Sequence, residues 1–152
     1  MSPPLKSTLA SMRWRQSIET LQDAMLLSRQ GGSGRSVVNR AYYAAFYAVS
    51  ALLELDGKSS NKHSGLISLF DLEYVKPGRV GKPVSSKLHA LFRMRNEDDY
   101  AKTEQVSETD AAEALQNATE IMAAIRPFLP RDLPDVPDLP AIADPPTSDE
   151  GE

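Results

Sequence analysis

Apolar residues recur at intervals of three and four along most of the chain, the pattern of helices that bury one face. No stretch shows the alternation of apolar and polar residues that is typical of a half-buried strand. The predicted helices lie, in chain order, at about 8–29, from a cap at Ser33 to near Asp56-Gly57, at about 63–74, from near Ser85, and from near Ser107 or Thr109. The spacing therefore predicts an all-α fold of about five helices.

The second predicted helix has the widest apolar surface, which indicates that other helices cover it on more than one side. Its main stripe consists of Val38, Tyr42, Ala45, Val49 and Leu52, and the stripe is widened by Tyr43, Phe46 and Leu53. We therefore expect this helix at the centre. The aromatic run AYYAAFYAV has helical spacing, and its alanines allow close helix approach. We interpret the run as core and interface rather than as a platform for stacked bases.

Length and composition are typical of one ordinary domain, because 152 residues suffice for a substantial core. The chain has no cysteine, which excludes disulfides and cysteine-ligated metal sites and suits a reducing compartment. No apolar run approaches the roughly 20 residues of a membrane span, and the N-terminus lacks the apolar middle of a signal peptide. We expect a soluble cytoplasmic protein that needs no membrane.

Charge is divided unevenly along the chain. Residues 1–106 hold 15 Lys/Arg and 10 Asp/Glu, a net +5, whereas residues 107–152 hold 2 and 11, a net −9. The basic excess is densest in residues 58–95, where eight Lys/Arg face two Asp/Glu. Such a patch can attract phosphates, and it can equally be the solvated surface of a soluble protein. Charge alone leaves both interpretations open.

Seven of the eleven prolines follow residue 126, together with many acids. This composition leaves little apolar surface to bury, so we expect a helical domain over 1–126 and a disordered or extended tail over 127–152. The tail is either a solubilising end, a competitor of phosphate for the basic patch, or a docking segment for a partner.

The stretch RMRNEDDYA at the end of the fourth predicted helix places charges where the apolar stripe continues. Leu88, Leu91, Phe92, Arg95 and Asp99 share one helix face. A desolvated guanidinium is costly without a partner, so Arg95 either pairs with Asp99 at the edge of the core or points into a polar cleft. Because sites where sequence rules fail are often functional, Arg95 is a candidate site residue.

Other motifs are weaker. GGSGRS and GRVGKP lack the full phosphate-binding P-loop pattern and follow no strand, so we reject a P-loop. His63 and His89 are the only histidines, and no acidic spacing matches a metal site, so we expect no metal and no cofactor. His63 opens a helix beside Lys62, where helical N–H groups and cations favour anions.

Three segments, in this order along the chain, resemble the HEPN superfamily (higher eukaryotes and prokaryotes nucleotide-binding), in its small stand-alone prokaryotic branch. They are NRAYYAAFYAVSALLELDGKSS, NKHSGLISLFDLEYV and LHALFRMRNEDDYA, and the resemblance spans roughly 10–125. It implies an up-and-down helical bundle that forms a homodimer, with the two fourth-helix motifs meeting in a shared cleft. Many HEPN proteins are metal-independent endoribonucleases that act as toxins beside a nucleotidyltransferase antitoxin or in phage defence.

The resemblance also implies a catalytic arginine followed after four to six residues by a histidine. Arg95 and Asn96 match the first part, but Tyr100 stands in the place of the histidine, which gives a variant Arg-x4-Tyr motif. A histidine titrates near neutrality and can move protons, whereas a phenol with a pKa near 10 is a poor base there. The departure weakens the implication of nuclease activity.

Two hypotheses follow. In the first, the protein is a toxin or defence endoribonuclease: Arg95 binds the scissile phosphate, Asn96 and Asp99 orient groups, and Tyr100 or a displaced His63 moves protons. The residues expected to bind phosphate or RNA are Lys62, His63, Lys76, Arg79 and Lys82. In the second, it is a non-catalytic module that binds nucleotide or RNA, or pairs with a nucleotidyltransferase, for which Tyr100 is a candidate modification site.

Overall fold

The computed structural model describes residues 3–97 and 106–139, and all regular structure in these ranges is helical. The helices are α1 (Pro3–Arg29), α2 (Gly34–Leu55), α3 (His63–Phe70), α4 (Lys82–Glu97) and α5 (Glu108–Ile125). A π-helical turn, Asp71–Val75, extends α3, and a 3-10 turn, Arg126–Phe128, follows α5. The prediction of an all-α bundle of five helices is confirmed.

Helix α2 is the centre of the bundle, because it packs against α1, α3, α4 and α5. Its predicted stripe is buried throughout, and Ala44 and Ala48 are fully covered as well. The Ser17 hydroxyl of α1 donates to the Ala44 carbonyl of α2 over 2.6 Å, a contact that small residues permit. The largest fully buried side chains of the core are Trp14, Leu21, Tyr42, Leu52, Leu53, Phe70, Tyr74, Leu88, Leu91, Ile121, Met122 and Ile125.

Helix ends follow local capping chemistry. Ser33 caps α2 by accepting from the Ser36 backbone N–H, and Ser107 opens α5 with a reciprocal capping box to Asp110. Gly57 ends α2 with a φ of 72°, a conformation that favours glycine. These three boundaries agree with the sequence predictions.

Two helices begin earlier than predicted, α1 at Pro3 rather than near residue 8 and α4 at Lys82 rather than near Ser85. Both early turns contain proline, Pro4 in α1 and Pro83 in α4. Proline lacks an N–H, but the first turn of a helix leaves its N–H groups unpaired in any case. The prolines therefore lie in the opening turns of these helices and do not interrupt them.

The segment before α5 returns to the start of α2. A Cβ added to Gly34 would lie 2.6 Å from the Val106 carbonyl oxygen, so the absence of a side chain permits this approach. The beginning of α2 and the beginning of α5 are thereby held together, and α5 is aligned along α2.

Residues 127–139 pack on the helices, which the expectation of a disordered or extended tail did not include. Leu129 and Leu133 are buried, and the Trp14 indole N–H donates to the Pro134 carbonyl over 2.7 Å. The Arg126 guanidinium donates to backbone carbonyls of the same segment, the shortest bond being 2.6 Å to Leu133. A proline-rich segment makes few hydrogen bonds of its own, so its carbonyls are free to accept from these donors. Residues 140–152 lie outside the described residues, and for them the prediction stands.

No helix in the described part of the chain combines the length and the apolar character that crossing a bilayer requires.

Candidate functional site

Arg95 lies near the end of α4 and is half-buried against α2. Its Nη2 donates to the Tyr43 hydroxyl over 3.1 Å, and its guanidinium carbon lies 5.2 Å from the ring centroids of both Tyr42 and Tyr43. Each ring presents electron density to the cation and stabilises it partially without neutralising it. Arg95 therefore lies at the edge of the core, where its place in the apolar stripe predicted it.

His63, the first residue of α3, reaches the same two tyrosines. Its Nδ1 shares a 2.8 Å hydrogen bond with the Tyr42 hydroxyl, and its ring stacks on Phe46 with centroids 4.3 Å apart. The ring centroid is 5.6 Å from that of Tyr43. Among the described residues Nε2 has no hydrogen-bond partner, so this nitrogen is available to a ligand.

A second arginine completes the cluster. The Arg40 guanidinium lies 5.3 Å from the Tyr43 ring and donates to the Asn39 side chain over 3.2 Å. We call the cluster the arginine–histidine site; its members are Arg40, Tyr42, Tyr43, Phe46, His63 and Arg95. Within the described ranges, neither arginine forms an ion pair with a carboxylate.

The surroundings shift two pKa values at this site. Burial, more than the nearby Arg95 charge, lowers the pKa of His63 below its usual value of 6.5, so the imidazole is mainly neutral at pH 7. Burial raises the pKa of Tyr42, although Arg95 opposes this shift, and the phenol keeps its proton. The site thus offers a fixed cation, a protonated phenol and a neutral imidazole, a set able to bind an oxyanion and accept a proton.

The motif residues that follow Arg95 are less informative. Asn96 is exposed on the last turn of α4. Asp99 and Tyr100 lie outside the described residues, so the expected Arg95–Asp99 pair and the roles of both side chains stay predictions. The structure brings His63 to Arg95, which sequence spacing alone left as an alternative.

The other predicted phosphate-binding residues are more distant. Lys62 is exposed next to His63, whereas Lys76 and Arg79 precede α4 and Lys82 begins it. From Lys82 to Arg95 the helix rises about 20 Å. Arg79 is also engaged, since its guanidinium lies 4.2 Å from the ring centroid of Tyr74. These three bases do not join the arginine–histidine site.

The sequence analysis did not identify several residues as members of the site. Tyr42, Tyr43 and Phe46 were assigned to core and interface, although they also form the rings against which both cations rest. Arg40 was not considered. The available signal was NRAYY, which places Arg40 one helical turn before Tyr43 and on the same face.

The second histidine has a different environment. His89 Nε2 lies 2.7 Å from an Asp71 carboxylate oxygen, and the Ser85 hydroxyl donates to the other oxygen over 2.7 Å. The carboxylate, and not the imidazole, is the shared member, so the serine is not activated by the histidine as in a nucleophilic triad. Across the described residues no group of three His, Cys, Asp or Glu side chains is arranged to hold a metal ion.

Comparison with known proteins gives a consistent result. The family model described as HEPN domain matches residues 10–127. A UPF0332 protein of Thermotoga maritima is 36% identical over 115 residues, which cover 76% of this chain and 86% of that protein. A UPF0332 protein of Gloeobacter violaceus is 32% identical, over 73% of this chain and 88% of its own length. A proposed toxin of Methanocaldococcus jannaschii, MJ0605, is 31% identical over 62% of this chain and 73% of its own.

Proposed function

The chain belongs to the HEPN domain family, and on that premise we propose that it is a toxin- or defence-type, metal-independent endoribonuclease that acts at the arginine–histidine site. One observation carries the proposal. Arg95 is half-buried, has no carboxylate partner among the described residues, and shares its aromatic neighbours with a neutral histidine. The name of the Methanocaldococcus jannaschii relative supports the toxin class.

Arg95 binds the scissile phosphate in this proposal. A guanidinium presents several N–H donors in a fixed plane and can hold two phosphate oxygens at once. Its hydrogen bond to Tyr43 and its position over two rings limit its movement. A donor fixed before reaction stabilises the charge that develops on the phosphate oxygens without reorganisation cost.

His63 replaces the missing motif histidine as the proton acceptor. This role requires the tautomer with the proton on Nδ1, in which Nδ1–H donates to the Tyr42 oxygen and the Nε2 lone pair removes the proton of a ribose 2′-hydroxyl. The 2′-oxygen then attacks the phosphorus, the bond to the 5′-oxygen breaks, and that oxygen takes a proton. The products are a cyclic 2′,3′-phosphate and a 5′-hydroxyl end. Tyr100 is the proposed donor of the second proton, and Asn96 and Asp99 orient the reacting groups.

A homodimer would complete the site, with two copies of Arg95 facing each other across the RNA. Lys62 would contact phosphate beside His63. Lys82 lies at the opposite end of α4 from Arg95, and Lys76 and Arg79 precede α4, so we assign all three to flanking RNA.

The test is RNA cleavage by the purified chain in the presence of a chelator. We expect cleavage of cellular RNA, and a loss of about 100-fold or more in Arg95→Ala, the scale expected for removing a fixed donor from an oxyanion. Arg93→Ala is the matched control, because Arg93 is exposed on the same helix and its loss should change the rate less than threefold. Equal cleavage rates for wild type and Arg95→Ala, with both proteins folded, would reject the proposal that the chain is an endoribonuclease acting through Arg95.

The second candidate is a non-catalytic module that binds nucleotide or RNA and pairs with a nucleotidyltransferase. The observation that favours it is the tyrosine in the place of the motif histidine. Binding of RNA or of such a partner that depends on Arg95, without cleavage at any pH, would support this candidate. Growth arrest on expression that Tyr100→Phe relieves would separately implicate the phenol in the activity.

A further inference from the structure

A small cavity lies beside the arginine–histidine site, between α1, the second half of α2 and the segment before α3. Its volume is about 140 Å³, room for about five water molecules and thus on the scale of a single planar ring system. The lining residues are Arg13, Phe46, Tyr47, Ser50, Glu54, Lys58, Ser59, Ser60 and Leu66.

The cavity and the site are joined by shared structure. Phe46 lines the cavity and also stacks on His63. Leu66, one turn after His63 in α3, forms part of the cavity wall. The Ser60 hydroxyl accepts from the Lys62 backbone N–H over 3.2 Å, which fixes the loop that leads to His63. A group bound in the cavity would therefore lie next to a phosphate bound by Arg95.

The charged groups of the cavity are one acceptor, Glu54, and two donors, Arg13 and Lys58. Glu54 has a side chain that is only 15% exposed, and its contact with Arg13 is long, at 4.0 Å. Arg13 is more exposed and also donates to Gln16 over 3.3 Å. Lys58, in contrast, is held by Glu73 over 2.5 Å. Of the charged groups, Glu54 and Arg13 therefore have hydrogen-bonding capacity left, and the hydroxyls of Tyr47, Ser50 and Ser59 also line the cavity.

We propose that this cavity binds the RNA base next to the scissile phosphate and selects guanine or cytosine. Single-stranded bases are recognised by stacking on aromatic side chains and by hydrogen bonds to their edges. Phe46 and Tyr47 supply the aromatic wall, Glu54 accepts from an amino group, and Arg13 donates to a carbonyl. Guanine and cytosine carry both groups, whereas adenine lacks the carbonyl and uracil lacks the amino group.

The substrate assignment rests on the proposed function, but its first test does not require cleavage. The four nucleoside monophosphates are titrated into the full chain and binding is followed by NMR. We expect GMP and CMP to bind about tenfold more tightly than AMP and UMP. Glu54→Gln should reduce that preference below threefold, and Arg13→Gln should weaken GMP, CMP and UMP, whose bases carry a carbonyl, but not AMP. Glu19→Gln, an exposed change on α1, is the control and should have no effect.

The cleavage sites of RNA provide the second arm, since they show whether the base is bound as part of a chain. Enrichment of G or C on one side of the cut, lost in Glu54→Gln, supports the proposal. Equal binding of all four nucleotides, or a preference that Glu54→Gln leaves intact, overturns it. Selective binding without any cleavage would reject the proposed nuclease and keep the base site, whereas Arg95-dependent cleavage without base preference would do the reverse.

Discussion

The two ends of α4 carry similar residues in opposite surroundings. Near its beginning, Ser85 and His89 both bond to the Asp71 carboxylate, and Lys87 lies 3.4 Å from Glu120. Near its end, Arg95 contacts a phenol and two aromatic rings and forms no ion pair within the described ranges. Along one helix, polar side chains thus bond to acids in the first half, whereas Arg95 in the second half has no acid partner among the described residues.

The difference separates scaffold from site. A base that already pairs with an acid presents little net charge, and such exposed pairs contribute only slightly to stability. A guanidinium over aromatic rings keeps its full charge, because the ring quadrupole attracts it without supplying a counter-ion. Burial makes the lack of an anion costly, and a bound phosphate would remove that cost. The second half of α4 is therefore the part suited to a ligand.

The two histidines differ in the same way as the two ends of α4. His89 lies against a carboxylate, whereas His63 lies among Phe46, Tyr42 and Tyr43 with Arg95 nearby. The aromatic, cationic setting of His63 favours the neutral base, which is the form that removes a proton at pH 7.

The largest expected effect comes from giving Arg95 the acid partner that the other end of α4 has. Tyr43→Glu places a carboxylate on the face of α2 that Arg95 contacts, so the guanidinium should pair with it and lose its affinity for phosphate. We expect RNA cleavage to fall more than 100-fold, measured as the initial rate. Tyr43→Gln removes the same phenol without adding charge and should cost less than tenfold. Similar losses in both variants would show that the charge of Arg95 is not the decisive property.

The next effect concerns pH. Because burial and Arg95 lower the pKa of His63, the neutral base predominates at pH 7, and the cleavage rate should be level there. Below the lowered pKa the rate should fall about tenfold per pH unit, since only the unprotonated imidazole removes the ribose proton. His63→Gln should lower the level rate at least tenfold and abolish the acidic decline. An acidic decline that survives in His63→Gln would assign the base to another residue.

The free energy of unfolding tests the same lowered pKa of His63, and this test does not depend on cleavage. In the unfolded chain His63 takes up a proton near pH 6.5, whereas in the folded chain it does so only at lower pH. The unfolded state therefore binds more protons in that interval, and the free energy of unfolding should decrease as pH falls from about 6.5 to the lowered value. Urea melts of His63→Gln should lack this component of the decrease.

The sequence predicted the helical elements well, because each one is determined by local signals. The stripe from Val38 to Leu52, the Ser33 cap and the capping residue Ser107 all act within one element. The early starts at Pro3 and Lys82 were missed because proline's effect depends on its position within a helix. The packing of Leu129 and Leu133 was missed because it depends on Trp14 and Arg126, whose donors come from other segments.

The site was predicted only in part, because only part of it follows from local signals. Arg95 was identified because its charge interrupts an apolar stripe, which is a local conflict. The meeting of His63 with Arg95 depends on how α3 packs on α2, and no spacing within one helix encodes that distance. Arg40 was missed because an arginine one turn before a tyrosine is an ordinary surface pattern, until Arg95 is found against the same ring.

The smallest expected effect tests the paired end of α4. Lys87 and Glu120 are both partly exposed, and the hydrogen bond from Gln116, more than Lys87, lowers the pKa of Glu120. Lys87→Met keeps most of the aliphatic stem, so it should change the free energy of unfolding by less than about 1 kcal/mol, the range of exposed pairs. Cleavage at about 0.15 M salt should change less than twofold, because Glu120 already offsets this charge. A loss as large as that of Arg95→Ala would mean that RNA engages both ends of α4 equally, and that a nearby acid does not exclude a base from the site.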